Sequence, residues 1–331
     1  MFESLKNVPR LLLEQELRPI QGHRFQPTGF ADLGAADYRL HDGRRMLLVE
    51  SAQSVANHLE QTCLNGSGPD IAPELDGLPY VKAKLEGASD AETSSLIEAH
   101  RINSPFIISD PGFQTAFLTL SGYKKGKPVD WKKAAETLFH FDPNALLHGV
   151  FMANLLDGRM RFPRAVTGFV EAADVKEAVS GGVKNNPLDP TGKIRAKSYD
   201  ENVYSNVPYP RIEYTAASIK AYFNLDLALI AGYGLPGPAC ELLIALGLLK
   251  IQRFLASGLR LRTACDLTPS RDMDVIAPIG FAVPDEAVLL ARVQAGIRAC
   301  TEAGLFAVPP VKIIECPVFL KADEKPRPAA S

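Results

Sequence analysis

One stretch limits the possible folds more than any other. From about Asp174 to Pro210 the chain contains SGGVKNNPLDPTGKIRAKSYDENVYSNVPYP, rich in Gly, Asn, Pro and Lys. A polar excursion of this length inside a compact domain is usually functional or disordered. It is flanked by strand-like RFPRAVTGFVEAA on one side. On the other, Phe223, Leu225, Leu227 and Leu229 alternate with Asn224, Asp226 and Ala228. A period of two is that of a half-buried strand. Any fold for this chain must therefore accept a long polar insertion between two strands.

The rest of the chain supplies a core around that insertion. RLLLEQELRPIQ reads as a first strand. Asp42-Gly43 marks a hairpin turn before MLLVE. In ESAQSVANHLEQTCL, Ala52, Val55, Ala56 and Leu59 fall at helical spacing, with Ser51, Ser54, Asn57 and His58 mostly on the other side. SPFIIS and GFQTAFLTL read as short strands. VDWKKAAETLFHFDPNALLHGVFMANL reads as a helix broken near Pro143. PGPACELLIALGLLKIQRFLASG is the clearest helix, with Pro near its start and Gly after its end. LRLRTACDL reads as a strand and PDEAVLLARVQAGIRACTEAG as a helix. The tail KADEKPRPAAS is polar and is expected to fray. Strands and helices alternate between long irregular insertions, which predicts a small α+β core decorated by loops.

Bulk properties narrow the function classes. At 331 residues and 46% hydrophobic composition the chain can bury a sizeable core. Its net charge of −2 disfavours a protein coated in nucleic acid over its whole surface, but not one with a single basic face. The five cysteines have no Cys-x-x-Cys pair, and buried thiols in a reducing compartment account for them. The N-terminus lacks the apolar core of a signal peptide, and the longest apolar stretch is interrupted by Glu241, Lys250, Gln252 and Arg253. The expectation is a cytoplasmic protein.

No catalytic signature emerges. None of the six histidines sits in a zinc pattern, and there is no P-loop or nucleophile elbow. GYGLPG, Gly232 to Gly237, has the spacing of a dinucleotide loop, so a nucleotide-binding enzyme is the alternative reading. Pro236 and Pro238, however, remove two amides that could reach a phosphate, and a turn before a helix accounts for the motif. In EAHRINSP, Glu98, His100 and Arg101 form either a solvated turn or a phosphate contact through Arg101.

RPIQGHRFQPTGFADLG, Arg18 to Gly34, is basic and carries two aromatics. Arg18, His23 and Arg24 offer charge or hydrogen bonds, Gln21 and Gln26 offer amides, and Phe25 could stack on a base. Cations for phosphates and flat rings for bases are what single-stranded nucleic acid needs. An ordinary polar loop with Phe25 and Phe30 tucked into the core remains equally open. The polar face from Ser51 to His58, including Gln53, and the loop around Lys184 and Asn185 would extend such a track.

These segments also carry a family resemblance. LRPIQGHRFQPTGFADLGAADY, LLVESAQSVANHLE, EAHRINSPFI, SGGVKNNPLDP and NVPYPRIEYTAASIKAYFNLDLALIAGYGL together resemble the backbone subunit of type I-G (formerly I-U) CRISPR effector complexes, a branch of the RAMP superfamily. The match runs from about Arg10 to Leu235. The resemblance implies an RRM-like (ferredoxin-like) core with an antiparallel sheet and long insertions, in one domain over residues 1–321 with a polar tail at 322–331. A thumb hairpin falls within about 174–210. Several copies would stack along one CRISPR RNA into a helical filament, as in Cascade, each thumb flipping a nucleotide out. A separate helicase-nuclease cuts the DNA. The implied partners are CRISPR RNA, target DNA through the guide, other copies of the chain and the other subunits, in antiviral defence, with no membrane, no cofactor and no metal. The backbone subunit is expected to be non-catalytic. Related type III subunits cut RNA with a loop aspartate, and nothing around Asp32, the nearest loop acid, suggests cleavage. The RNA track is expected along Arg18, Gln21, His23, Arg24, Phe25 and Gln26; along Ser51, Gln53, Ser54, Asn57 and His58; and at Arg101, Lys184, Asn185 and Arg211.

Overall fold

The computed structural model describes residues 2–30, 32–86, 91–185, 187 and 207–317. Strand β1 spans Arg10–Pro19, followed by the short pair β2 (Gly29–Phe30) and β3 (Gly34–Ala35), then β4 (Asp37–Arg39) and β5 (Arg45–Glu50). Helix α1 (Ala52–Gln61) precedes β6 (Tyr80–Glu86) and β7 (Glu92–Ser94). Four helices follow: α2 (Pro105–Ile108), α3 (Pro111–Ser121), α4 (Trp131–Phe141) and α5 (Pro143–His148). Strands β8 (Val150–Phe151), β9 (Arg161–Phe162), β10 (Val166–Ala173), β11 (Lys176–Lys184), β12 (Val207–Thr215) and β13 (Ser218–Asp226) come next. Helices α6 (Leu227–Gly232) and α7 (Gly237–Ala256) lead to β14 (Arg260–Arg262), β15 (Cys265–Pro269) and β16 (Asp274–Ala277). Helix α8 (Glu286–Glu302) and β17 (Val311–Pro317) close the described chain.

The central sheet runs β14-β15-β1-β13-β10-β5-β4, with β16 pairing β1. The pairs β1/β13, β10/β13 and β1/β15 are antiparallel. Taken with α1 and α7, the strands β1, β10, β13 and β15 are connected β-α-β-β-α-β and ordered fourth, first, third, second. That is the split β-α-β arrangement of a ferredoxin-like core, so the expected fold class holds. The additions are β4–β5, which extend the β10 edge, and the helices α2–α5, which lie between α1 and β10 in sequence.

Alternation along the strands decides which face the helices cover. Leu11, Leu13 and Leu17 of β1, Ile219, Ala221, Phe223 and Leu225 of β13, and Val166, Val170 and Ala172 of β10 are buried. Phe223 meets Phe254 of α7 edge-on, with ring centroids 6.2 Å apart. Gly168 lets α1 approach: a Cβ there would lie 2.7 Å from the Phe223 ring and 3.0 Å from Val55 Cγ1. The other face is half-exposed. It carries the stacked rings of Phe169 and Tyr222, 5.0 Å apart, and the ion pairs Lys220–Glu14 and Arg271–Glu16.

The long polar excursion begins and ends as a two-stranded ribbon. β11 and β12 pair antiparallel from Lys176↔Thr215 to Lys184↔Val207. At ~3.4 Å per residue it reaches about 30 Å. Residues 186 and 188–206, the middle of the expected thumb, lie outside the described residues, as do the tail residues 322–331.

Four segments differ from their sequence reading. SPFIIS and GFQTAFLTL are helices α2 and α3, not strands. Ser104 caps α2 and Asp110 caps α3, each followed by Pro at the first helical position. The alternation from Phe223 to Leu229 stops at Asp226, whose carboxylate accepts from Leu229 N and starts helix α6. LRLRTACDL is two strands, β14 and β15, paired as a hairpin. Cys63, Cys265, Cys300 and Cys316 are buried and Cys240 is half-buried. Among the described residues no helix is long and apolar enough to cross a membrane.

Candidate nucleic-acid interface

The basic loop after β1 is held by its backbone. Phe25 N–H donates to Tyr214 O and Tyr214 N–H to Phe25 O, both at 2.9 Å. Gln26 N–H donates to Ala264 O at 2.8 Å and Thr28 N–H to Val49 O at 3.0 Å. Phe25 is 1% exposed and belongs to the core, so it offers no ring to a ligand. Pinned in this way, the loop presents Gln21, His23 and Arg24 to solvent. With Arg260 and Asp266 they border an open cleft of about 460 Å³. Arg18 is exposed at the end of β1 and makes no ion pair among the described residues. Glu213 is buried at the cleft floor, 3.3 Å from Arg24 and 4.0 Å from Arg211. It neutralises part of this charge and fixes where it sits.

Helix α1 forms the second part. Ser51 caps it, its hydroxyl accepting from Ser54 N at 3.2 Å. Val55, Ala56 and Leu59 face the core while Gln53 and Asn57 are exposed, joined by a 2.9 Å hydrogen bond. His58 is half-buried and stacks on Phe254, and that burial lowers its pKa. Gln53, Asn57 and Arg101 border another cleft, of about 630 Å³, together with Glu60 and the turn from Leu96 to Ala99. Arg101 is a structural clamp. Its Nε and Nη2 donate to Glu60 Oε1 and Oε2 at 2.6 and 2.9 Å, and Nη1 donates to Gly149 O at 3.1 Å.

Arg262 connects the two parts. It donates to Gln26 O at 3.0 Å and Val49 O at 2.9 Å and pairs with the buried Glu50, next to the cap of α1. The ribbon is the third part. Its base touches the loop through the Phe25–Tyr214 bridge, and Arg211 lies on β12 opposite Ser180. Lys184 and Asn185 are exposed at the far end of β11. The fold thus groups Gln21, His23, Arg24 and Arg211 at one cleft and Gln53, Asn57 and Arg101 at another, with Lys184 and Asn185 out along the ribbon.

Sequence reading missed three arginines. Arg260, with a side chain 72% exposed, faces the loop across the first cleft. Arg262 ties the loop to β5. Arg164 donates to Ala52 O at 3.3 Å and to Gln53 Oε1, and its burial, with Arg101 nearby, lowers its pKa. Only the alternating charge of LRLR hinted at the first two; the turn that brings them to the loop comes from tertiary structure.

Other features take no part in this surface. On the half-exposed sheet face, where an RRM stacks bases, Lys220 is spent on Glu14 and Arg271 on Glu16, and Glu171 adds a further acid, so these cations are not free for phosphate. GYGLPG follows helix α6 instead of a strand, which removes the strand-turn-helix geometry that a dinucleotide loop needs. Among the described residues no group of three or more His, Cys, Asp or Glu could hold a metal. A buried polar cluster lies inside the protein. Lys250 Nζ sits 2.9 Å from His148 Nε2, and burial together with this cation pushes His148 well below its ordinary value. Burial raises Asp142, the cap of α5, to about 6.

The arrangement defines an α+β protein with a ferredoxin-like core, whose pinned basic loop, helix face and projecting ribbon, not its sheet, present the groups suited to a phosphate backbone. The chain belongs to the family described as CRISPR-associated protein GSU0053, whose model matches residues 11–177, just over half of the sequence. Solved structures similar to it include a chain of a pre-nicking CRISPR RNA-guided surveillance complex, at 13% identity over 78% of this chain and 73% of that one, TM-score 0.39. A chain of another CRISPR RNA-guided surveillance complex is 13% identical over 89% and 83%, TM-score 0.32. Csc2 of Thermofilum pendens is 9% identical over 89% and 77%, TM-score 0.29. No curated protein matches the sequence.

Proposed function

We propose that this chain is the CRISPR RNA-binding backbone subunit of a type I interference complex, of subtype I-G. Copies of it line up along one guide RNA, beside the other subunits of the complex, and present that RNA to target DNA. Its role is structural and not catalytic. Membership of a CRISPR-associated family gives the setting. The observation that carries the reading is the loop from Gln21 to Arg24, anchored just past its end by the backbone bonds of Phe25, Gln26 and Thr28, so that Gln21, His23 and Arg24 share a cleft with Arg260 at the foot of a projecting ribbon. Such a surface tracks phosphates without reading sequence, as a subunit that must accept any spacer requires. The ribbon would reach the next copy or the next nucleotides. Phe25 holds the loop from inside, and Arg101 holds Glu60.

The test is a salt titration of binding to repeat-containing single-stranded RNA. Each lost phosphate contact lowers the slope of log K against log salt by about 0.7. Replacing Arg18, Arg24 and Lys184 by Ala should therefore lower it by about 2, compared at a temperature where the triple variant is folded, because Arg24 partners the buried Glu213. Parental affinity and slope in the triple variant would move the guide elsewhere on the protein.

A further inference from the structure

Among the described residues, a second concentration of positive charge lies outside the basic loop. The segment YKKGKPVDWKK, Tyr123 to Lys133, joins α3 to α4 and places five lysines within ten residues of one another. Lys124, Lys125, Lys127 and Lys133 are exposed and have no ion-pair partner among the described residues. The acids nearby are occupied. Asp130 caps α4 by accepting from Lys133 N at 3.1 Å. Asp157 accepts from the Tyr123 hydroxyl, from Gly126 N at 2.9 Å and from Arg159 Nε at 2.7 Å, contacts that lower its pKa to about 2.

Those contacts hold the lysine loop in place. Arg159 also donates to Lys127 O at 2.6 Å, so the loop is laced to the β8–β9 hairpin. Trp131, the first residue of α4, packs edge-on against Phe162 of that hairpin and still leaves 51% of its surface exposed. On the opposite face of the hairpin Arg161 lies over the ring of Phe151, which is 46% exposed. A half-exposed indole in the same loop as lysines without ion-pair partners sets a flat ring and free cations close together. They match a ligand that offers both phosphates and flat bases. A duplex hides its base faces, which leaves a single strand as the ligand.

We propose that the α3–α4 loop, Trp131 and the β8–β9 hairpin form a second nucleic-acid surface, specific for single strands and indifferent to sequence. This goes beyond the guide-binding reading and does not depend on it. Lysines 124, 125 and 127 would hold successive phosphates, and Trp131 would stack on a base.

Trp131 is the only tryptophan of the chain, so its emission reports on this surface alone. The full chain, stripped of co-purified nucleic acid by nuclease and high salt, is titrated with a short oligothymidylate while indole fluorescence is followed. The expected result is saturable quenching. In K124E/K125E/K127E it should need at least about tenfold more oligonucleotide, with an unchanged melting temperature. R18E/K184E should leave the quenching curve in place, which separates this surface from the guide track. A blunt duplex of equal length should quench little. An oligonucleotide that binds by anisotropy without quenching, quenching that ignores the lysine changes, or equal quenching by the duplex would overturn the proposal.

Discussion

Replacing Arg101 by alanine separates a structural role from a nucleic-acid role most cleanly. The Arg101 and Glu60 side chains are only 12% and 15% exposed, and the guanidinium fork meets both carboxylate oxygens. Removing one partner of a buried pair costs ~3–5 kcal/mol because the other charge is left without compensation. Residual exposure places this pair near the lower end, ~3 kcal/mol, and the lost bond to Gly149 O adds ~1 kcal/mol. The backbone adds nothing, because Arg101 already has φ 53° and alanine would inherit the same conformation. Urea denaturation should therefore show R101A destabilised by ~4 kcal/mol. In a cycle with E60Q and the double variant, the coupling energy should come out near ~3 kcal/mol. RNA affinity, measured where the variant is still folded, should change little. A stability loss below ~0.5 kcal/mol together with a marked fall in RNA affinity would refute the clamp and restore Arg101 as a phosphate contact.

Other outcomes follow from the interior. Asp142 has a folded pKa of about 6, above its ordinary 3.8, so the fold favours its protonated form. Its contribution is full below 3.8 and is lost as pH rises through 6, a change of ~3 kcal/mol. Asparagine caps helices as well as aspartate does, so the stability gap between D142N and the parent should move by most of that amount in favour of D142N from about pH 4 to pH 7. Comparing the two at each pH cancels the opposite trend of His148, whose contribution is lost as pH falls below 6.5; a constant gap would show that Asp142 is not desolvated. G168A should cost ~1–3 kcal/mol in urea denaturation, because its Cβ would lie 2.7 Å from Phe223 and 3.0 Å from Val55; an unchanged midpoint would show that α1 can move away from the sheet.

The sequence revealed the strands of the core and α1, because each has one buried face and a clean period, and α7, buried all round from Ala245 to Ile251, by its length and by Pro near its start and Gly after its end. Leu11, Leu13 and Leu17 alternate along β1, and Val55, Ala56 and Leu59 share one side of α1. It misled at α2 and α3, where apolar runs too short to show a period hid helices announced by Ser104-Pro105 and Asp110-Pro111. The order of the strands could not be read locally, since β1 is paired by strands from beyond residue 217. At the candidate interface, residue type identified Arg24 and Lys184 as exposed cations, but could not decide between a stacking and a buried Phe25. That choice rests on the bridge to Tyr214, almost two hundred residues away. Arg101 looked like a free cation because its partner, Glu60, lies forty-one positions earlier in the chain. Arg260 and Arg164 were missed for the same reason: the turns that bring them to the loop and to α1 are tertiary.

The most direct test of the central claim is to produce the protein together with a CRISPR array, purify it and sequence the nucleic acid that accompanies it. The account predicts repeat-spacer RNA protected over a discrete length, in an assembly of several copies that falls apart after nuclease treatment at high salt. A monomer free of nucleic acid even when the other subunits of the complex are supplied, or an assembly that persists without RNA, would contradict it.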